Sequence, residues 1–462
     1  MKIINKLLFF NSKNKLYKTM HYMGKTIEFD DNKCIKCTKC VMRCKNRSVG
    51  YLEIVTDKDG KKHLQAKDGM ECIHCGQCTL MCPVNAIRSQ SALEGVKEVL
   101  KDKTKVLIAQ CAPSIRASVG EGWNMEHTLD IEKKMNTALR KLGFNKIFDV
   151  NFGADITTMV EAKELAKRLN NPNAILPMFT SCCHAWVEYA LKYHPELKGN
   201  LTTARSPHLH SAGAYKTWWA EQNKIDPKNI VVVSIMPCTS KKEEILEESA
   251  KANNLKLVDY TLTEREFIQL MKENNIDFPN LEGSEGDALA DYSGAGAIYG
   301  ASGGVMESAL RTAYKMIIGE DLKDFNLVDV RTDVGGFKTA EIDLKGRKIK
   351  VAVVSTVQNV EKILLELKAN PNAYQYIEVM NCAGGCIGGG GLPLLPVKPA
   401  DEAPLIEKRR KVLYEIDQKK KNERTAHSNP MVQQYMTWVT AQNNPELEHD
   451  LYHTKFEDYA RK

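Results

Sequence analysis

The stretch Glu378-Val379-Met380-Asn381-Cys382-Ala383-Gly384-Gly385-Cys386-Ile387-Gly388-Gly389-Gly390-Gly391-Leu392-Pro393 sets two thiols four residues apart with two glycines between them. Glycine takes positive φ without steric penalty, so this backbone can fold both sulfurs toward one object. The object such thiols suit is an iron–sulfur cluster. A cubane needs four thiolates, so two more must come from elsewhere in the fold. Thr180-Ser181-Cys182-Cys183-His184-Ala185-Trp186 and Met236-Pro237-Cys238-Thr239-Ser240-Lys241-Lys242-Glu243 also read as tight loops entered from an apolar strand. Gly388 to Gly391 alone would suggest a phosphate-cradling loop, but the Lys and the strand-to-helix context that such a loop needs are missing.

Upstream, Cys34-Ile35-Lys36-Cys37-Thr38-Lys39-Cys40-Val41-Met42-Arg43-Cys44 and Cys72-Ile73-His74-Cys75-Gly76-Gln77-Cys78-Thr79-Leu80-Met81-Cys82-Pro83 are two copies of C-x2-C-x2-C-x3-C. Spacing by three sets consecutive sulfurs around one cube, while the fourth Cys ligates the other cluster. Cys34, Cys37, Cys40 and Cys82 are expected to hold one [4Fe–4S] cluster, and Cys72, Cys75, Cys78 and Cys44 a second. A zinc ribbon would use pairs of C-x2-C and leave half of these thiols idle. The pattern resembles the bacterial two-cluster ferredoxins, and the evident use of two clusters in so small a module is to pass single electrons. His74, between two ligands, reads as a surface side chain that tunes potential.

At 462 residues the chain is long enough for two or more domains. Fourteen Cys, eight of them in the two short runs, is metal-ligand usage in a reducing compartment, since a disulfide framework belongs to secreted chains. Six charges of the net +7 are Lys2, Lys6, Lys13, Lys15, Lys18 and Lys25, all before the first acid at Glu28. The body is near +1, too balanced for nucleic acid as a main partner. No apolar run approaches the roughly 18 residues that span a bilayer. Residues 1–24 form a basic extension with an apolar Leu7-Leu8-Phe9-Phe10, which fits an organelle presequence; a start at Met20 or Met23 is the competing reading.

Ser91 to Lys103 reads as a connecting amphipathic helix. From Val106 onward, strand-like runs alternate with helical patterns, as in α/β domains. Examples are Val106 to Ala109, Lys146 to Val150, Ile230 to Ile235 and Lys350 to Val354, each followed by a loop rich in Gly, Pro, Cys or Ser. Active-site groups belong at the carboxyl ends of such strands, where Cys183 and Cys238 fall. Cys111 is expected to be an inert buried thiol. Arg409 to Lys421 reads as a charged helix, and the remainder lacks strong periodicity.

Taken together, the loops around Cys182-Cys183, Cys238 and Cys382-Cys386 resemble the three signature loops of the iron-only ([FeFe]) hydrogenases, in that family's order. The resemblance covers about residues 25 to 460. It implies a multidomain chain: an α+β two-cluster ferredoxin-like domain at 25–90, a connecting helix at 91–104, an α/β catalytic domain of two lobes at 105–400, and a wrapping helical segment, similar to the family's small subunit, at 401–462.

The resemblance also implies the site. Cys183, Cys238, Cys382 and Cys386 would hold a third [4Fe–4S] cluster, and Cys386 would bridge it to a diiron centre bearing carbon monoxide, cyanide and a bridging dithiolate, the H-cluster. Cys182 is then the thiol that relays protons. Lys241 would bond one cyanide, and Ser114 with the backbone around Pro113 the other. Met236 and Met380 match positions that shield the diiron site. Glu161 and Glu164, three apart on a helix after Asp155, resemble proton-path acids, as Thr202 resembles a hydroxyl on that path. The glycines from Gly294 to Gly304 would permit close packing near the cluster.

The implied activity is reversible reduction of protons to H2, with a soluble ferredoxin as electron partner and maturation proteins to build the diiron unit. A cytoplasmic monomer is expected, or a hydrogenosome-type organelle if the extension is a presequence. His184, Ala383, Leu392 and His208 depart from the family pattern and suggest a divergent subgroup. Two further readings are a sensor of H2 or redox state with little turnover and an iron–sulfur assembly scaffold. A sensor would be expected to lose the Cys182 thiol, and a scaffold the Met236 to Lys241 loop.

Overall fold

In the computed structural model, residues 20–22, 26–332, 336–395, 399–421 and 423–458 are described. Most of the basic extension lies outside them. Apolar runs flanking the cysteine segments pair with one another: Ile27–Asp30 lies antiparallel to Ile87–Ser89 on one side and to Met20–Tyr22 on the other. Leu52–Thr56 and Lys62–Ala66 form a hairpin. Phe29, Leu52, Leu64 and Ile87 bury their side chains against Cys44 and Cys78. A helix, Lys39–Arg47, carries Cys40 and Cys44, and a short 3-10 turn, Gln77–Met81, carries Cys78.

Beyond a connecting helix at Leu93–Lys101, two separate four-stranded sheets form. The first is wholly parallel, in the order Tyr260–Thr263, Ile230–Met236, Val106–Cys111, Lys146–Asp149. Its central strands are buried almost throughout, which is why they read as continuous Val and Ile runs. Cys111 lies in this core, 1% exposed. The second sheet runs Phe337–Leu344, Arg347–Ser355, Tyr376–Met380, Met178–Phe179, with only its outer hairpin antiparallel.

The helix Val150–Leu169 starts earlier than the expected position after Asp155. Asp149 accounts for the difference. Its carboxylate accepts from the Asn151 amide at 2.7 Å and caps a helix at Val150, a residue whose apolar neighbours place it in the preceding strand when read from sequence.

The charged helix expected from Arg409 begins earlier, at Glu402, and runs to Lys419. Two further helices, Pro430–Ala441 and Pro445–Tyr452, occupy the tail that lacked periodicity. Asp417 fixes the first of the three to the helix Gly304–Ile318 through a buried bidentate bond with Arg311, both distances 2.9 Å. Arg409 donates to Glu121 at 2.6 Å and to the Ile387 carbonyl at 2.7 Å, which ties this helix to the glycine-rich loop. Among the described residues no helix is long and apolar enough to cross a membrane.

Candidate metal centres

The eight upstream cysteines line two cavities. One is lined by Cys34, Cys37, Cys40 and Cys82, and the other by Cys44, Cys72, Cys75 and Cys78. The helix Lys39–Arg47 carries Cys40 toward the first cavity and Cys44 toward the second, which is how the two motifs come to exchange their fourth cysteines. Neither lining includes a carboxylate, so each donor set is four thiols in a largely apolar wall, which fits a cubane. Burial pushes the Cys40 thiol up to about 12 and raises Cys44, Cys75 and Cys78 as well. Thiolates there need the positive charge of iron to replace lost hydration.

His74 is buried, which corrects the surface position expected from the sequence. Its Nδ1 lies 2.9 Å from Glu188, on the helix His184–Tyr193. The cause is docking: the loop from Cys72 to Gly76 is pressed against the part of the chain that follows the connecting helix, where Thr239 donates to the His74 carbonyl. The Gly388 to Gly391 run forms the other wall of this seam. A Cβ on Gly390 would lie 2.3 Å from the Cys75 carbonyl oxygen, so only glycine allows the approach.

Three loops bring four of the remaining cysteines together at the carboxyl ends of their strands. Cys183 follows Met178–Phe179, Cys238 follows Ile230–Met236, and Cys382 and Cys386 follow Tyr376–Met380. Gly384 and Gly385 adopt φ of 75° and 92°, the left-handed conformation that turns both sulfurs inward. The Asn381 amide points at Cys183 Sγ, 3.5 Å away. Burial comes first in raising Cys382, with Cys183, Cys75 and Cys238 as charged neighbours, and it pushes Cys238 up to about 12. Among the described residues no three His, Cys, Asp or Glu side chains converge as on a single metal ion. A cubane does not ask for that, because each thiolate binds a different iron.

Cys182 is buried against Met380, Tyr299, Ala154 and Val305, beside Cys183 and Cys386. Lys241 Nζ donates to the Cys182 carbonyl at 3.0 Å and to Glu244 at 2.6 Å. Burial disfavours its charge, and Glu244 more than offsets this, so the ammonium is held above its ordinary value. Ser114 and Pro113 are buried at the end of Val106–Cys111, and the Ser114 hydroxyl has no partner among the described residues. An orphaned donor there fits a bound polar group. Met236 is buried at the end of its strand.

Glu161 is wholly buried, and Tyr376 donates to it at 2.5 Å. Burial pushes its carboxyl up to about 8 against the pull of that bond, and Oε2 has no partner among the described residues. Glu164, one turn further along the same helix, is engaged elsewhere: Thr202 donates to it at 2.7 Å, Arg168 at 2.6 Å, and it lines a surface cleft with His453. Thr202 thus meets Glu164, while Tyr376 occupies Glu161.

Of the departures from the family pattern, His208 Nε2 lies 2.6 Å from Glu244 and so shares the carboxylate that holds Lys241. His184 is buried at the head of its helix, and Leu392 packs into the core of the first sheet.

Several functional contacts are not visible in the sequence pattern. Glu378, inside the stretch that carries Cys382 and Cys386, accepts from the Gly303 and Met306 amides at 2.7 Å and caps the helix that follows the glycine-rich turn. An acid in an otherwise apolar strand is the available signal.

Residues 105–390 match the iron only hydrogenase large subunit, C-terminal domain; residues 27–89 match a 4Fe-4S dicluster domain, and residues 402–459 the iron hydrogenase small subunit. The chain belongs to the iron-only hydrogenases.

It is 39% identical to iron hydrogenase 1 of Clostridium pasteurianum over 440 residues, 94% of this chain and 76% of that protein. It is 35% identical to the NADP-reducing hydrogenase subunit HndD of Solidesulfovibrio fructosivorans, over 92% of this chain and 74% of that one. A solved apo [FeFe]-hydrogenase of Chlamydomonas reinhardtii superposes with a TM-score of 0.68 at 31% identity, covering 79% of this chain and 98% of that one. The cytosolic iron-sulfur assembly component 3 of Pongo abelii matches at 27% identity over 76% of this chain and 77% of that protein. The hydrogenase is accordingly an oxidoreductase with iron–sulfur cofactors.

Proposed function

We propose that this hydrogenase reduces protons reversibly to H2, drawing electrons from a reduced soluble ferredoxin. Cys34, Cys37, Cys40 and Cys82 would hold an outer [4Fe–4S] cluster, Cys72, Cys75, Cys78 and Cys44 an inner one, and Cys183, Cys238, Cys382 and Cys386 the H-cluster; the first two would supply one-electron relay to the third. The observation that carries the reading is the meeting of four cysteines from three distant loops, with Cys182 and Lys241 against them. When bound, the diiron centre supplies the iron at which protons and electrons combine.

The chain's own residues do the rest. Lys241, kept cationic by Glu244, and Ser114 with the Pro113 backbone would hold the anionic cyanides. Met236 and Met380 exclude water. Cys182 holds a proton beside the diiron centre, and Glu161 is its inner supplier. Thr202 and Glu164 sit at the outer end, toward the cleft. The two sheets correspond to two lobes, and the protein works as a cytoplasmic monomer dependent on maturation proteins.

The assembly-scaffold reading has one observation on its side, the likeness to the iron–sulfur assembly component. Infrared absorption of the matured, anaerobic protein separates the two. Carbonyl and cyanide bands that shift under H2 are expected; three cubanes without such bands would leave the scaffold reading standing instead.

A further inference from the structure

Gln77 immediately precedes Cys78, a proposed ligand of the inner ferredoxin cluster, and its side chain reaches the next centre. Its Nε2 lies 3.2 Å from Cys382 Sγ and 2.9 Å from the Gly388 carbonyl oxygen. An amide can be turned round without changing its shape, but the neighbours here forbid it. Arg43, which can only donate, places Nε and Nη2 at 2.9 and 2.7 Å from Gln77 Oε1. The Gly388 carbonyl can only accept. Oxygen must therefore face Arg43, and the N–H group must face the sulfur.

Arg43 is itself held from behind by Glu402, at 2.8 and 2.9 Å, on the first helix of the C-terminal segment. Gln77 is 1% exposed, Arg43 and Glu402 8% each. The chain of bonds is shielded from bulk water, which strengthens each of them relative to an exposed hydrogen bond.

We infer that Gln77 is the positioning residue of the electron junction: its amide, locked by Arg43 and Glu402, holds the Cys382 sulfur and raises the reduction potential of the cubane on that sulfur. The inference rests on the proposed assignment of a third cubane to Cys183, Cys238, Cys382 and Cys386. The step it serves is one electron from the reduced inner cluster to the oxidised third cubane, with no proton moved and no bond made or broken. An N–H donor to a cysteine sulfur stabilises the reduced, more negative cube, and hydrogen bonds to the sulfurs are among the factors that set cluster potentials.

The test is a redox titration of the full chain carrying its clusters, followed by electron paramagnetic resonance, in wild type and Gln77→Met. Methionine is neutral and of similar length, and it leaves the Arg43–Glu402 pair in place. The expected result is a third-cubane midpoint moved to more negative potential by about a tenfold change in oxidised-to-reduced ratio, about 59 mV for one electron. A second measurement needs no variant to fold: with glutamine labelled by nitrogen-15 in its side chain, the reduced wild-type cubane should show coupling to that nitrogen.

An unmoved midpoint in a Gln77→Met protein of full iron and sulfide content overturns the inference, as does absence of the coupling in wild type. A wild-type protein that assembles only two cubanes refutes the third-cluster assignment instead, so the two failures are distinguishable.

Discussion

Glu161→Gln isolates one buried proton. Among the described residues only Tyr376 is bonded to the Glu161 carboxyl, and burial moves it from the ordinary 4.5 to about 8. At about 1.36 kcal/mol per pH unit the ionised form is disfavoured by about 5 kcal/mol. At pH 7 that leaves about ten neutral acids for each carboxylate, where an ordinary glutamic acid would show about 300 carboxylates for each neutral acid. Glu161 therefore carries its proton at the pH at which a supplier to Cys182 must have one.

The sign for stability follows. A raised value means that the folded chain binds the proton more tightly than the unfolded chain. Stability from this group is full below 4.5 and is lost as pH rises through about 8. The Glu161→Gln protein has no such slope from this position. The assay is the infrared carbonyl stretch of protonated carboxylic acid, read as wild type minus Glu161→Gln over roughly pH 5 to 9. The subtraction removes Asp149 and Asp155, at about 6, and Glu378, at about 7. A band lost near pH 8 is expected. A difference spectrum with no protonated acid at pH 7 would refute the reasoning.

Gly390→Ala drives a Cβ to 2.3 Å from the Cys75 carbonyl oxygen, against backbone that cannot swing aside, and should lower stability by about 1–3 kcal/mol, read as a fall in Tm. Asp417→Asn breaks the bidentate bond to buried Arg311 and should cost about 3–5 kcal/mol, seen in the same measurement. Cys182→Ala should cut H2 turnover by about 10²–10⁴ while iron and sulfide content stays unchanged. Because the cavities exchange their fourth cysteines, Cys44→Ser should alter the paramagnetic signal of the cluster at Cys72, Cys75 and Cys78, and Cys82→Ser that of the cluster at Cys34, Cys37 and Cys40.

What the sequence made legible was local. Cysteines three apart reach one cube by covalent geometry, and buried parallel strands announce themselves by unbroken Val and Ile. The meeting of Cys183, Cys238 and Cys382 is not local, and it was readable only because three loops together resemble one family. Contacts that no short window contains stayed hidden. Tyr376 meets Glu161 across 215 residues, and Arg43 meets Glu402 across 359. The C-terminal helices are a different kind of miss. Asn429 and Asn444 each precede a proline and cap the helix that follows, a start signal present in the sequence and obscured by weak apolar periodicity.

The hidden contacts share a direction. Gln77, Thr79 and His74 of the ferredoxin-like module all bond to the catalytic domain, through Gly388, Gly390 and Glu188. Each partner lies in or beside a loop that carries a cluster cysteine or packs on one. In the proposed electron route this seam is the crossing, which asks for a stiff geometry. A flexible tether between two finished domains would leave the distance between clusters undefined. The glycine run solves this by removing side chains where the two backbones meet, and the Arg43–Glu402 pair makes the C-terminal segment a third party to the same joint. Loss of that segment should therefore disturb electron entry as well as stability, although it supplies none of the proposed cluster ligands.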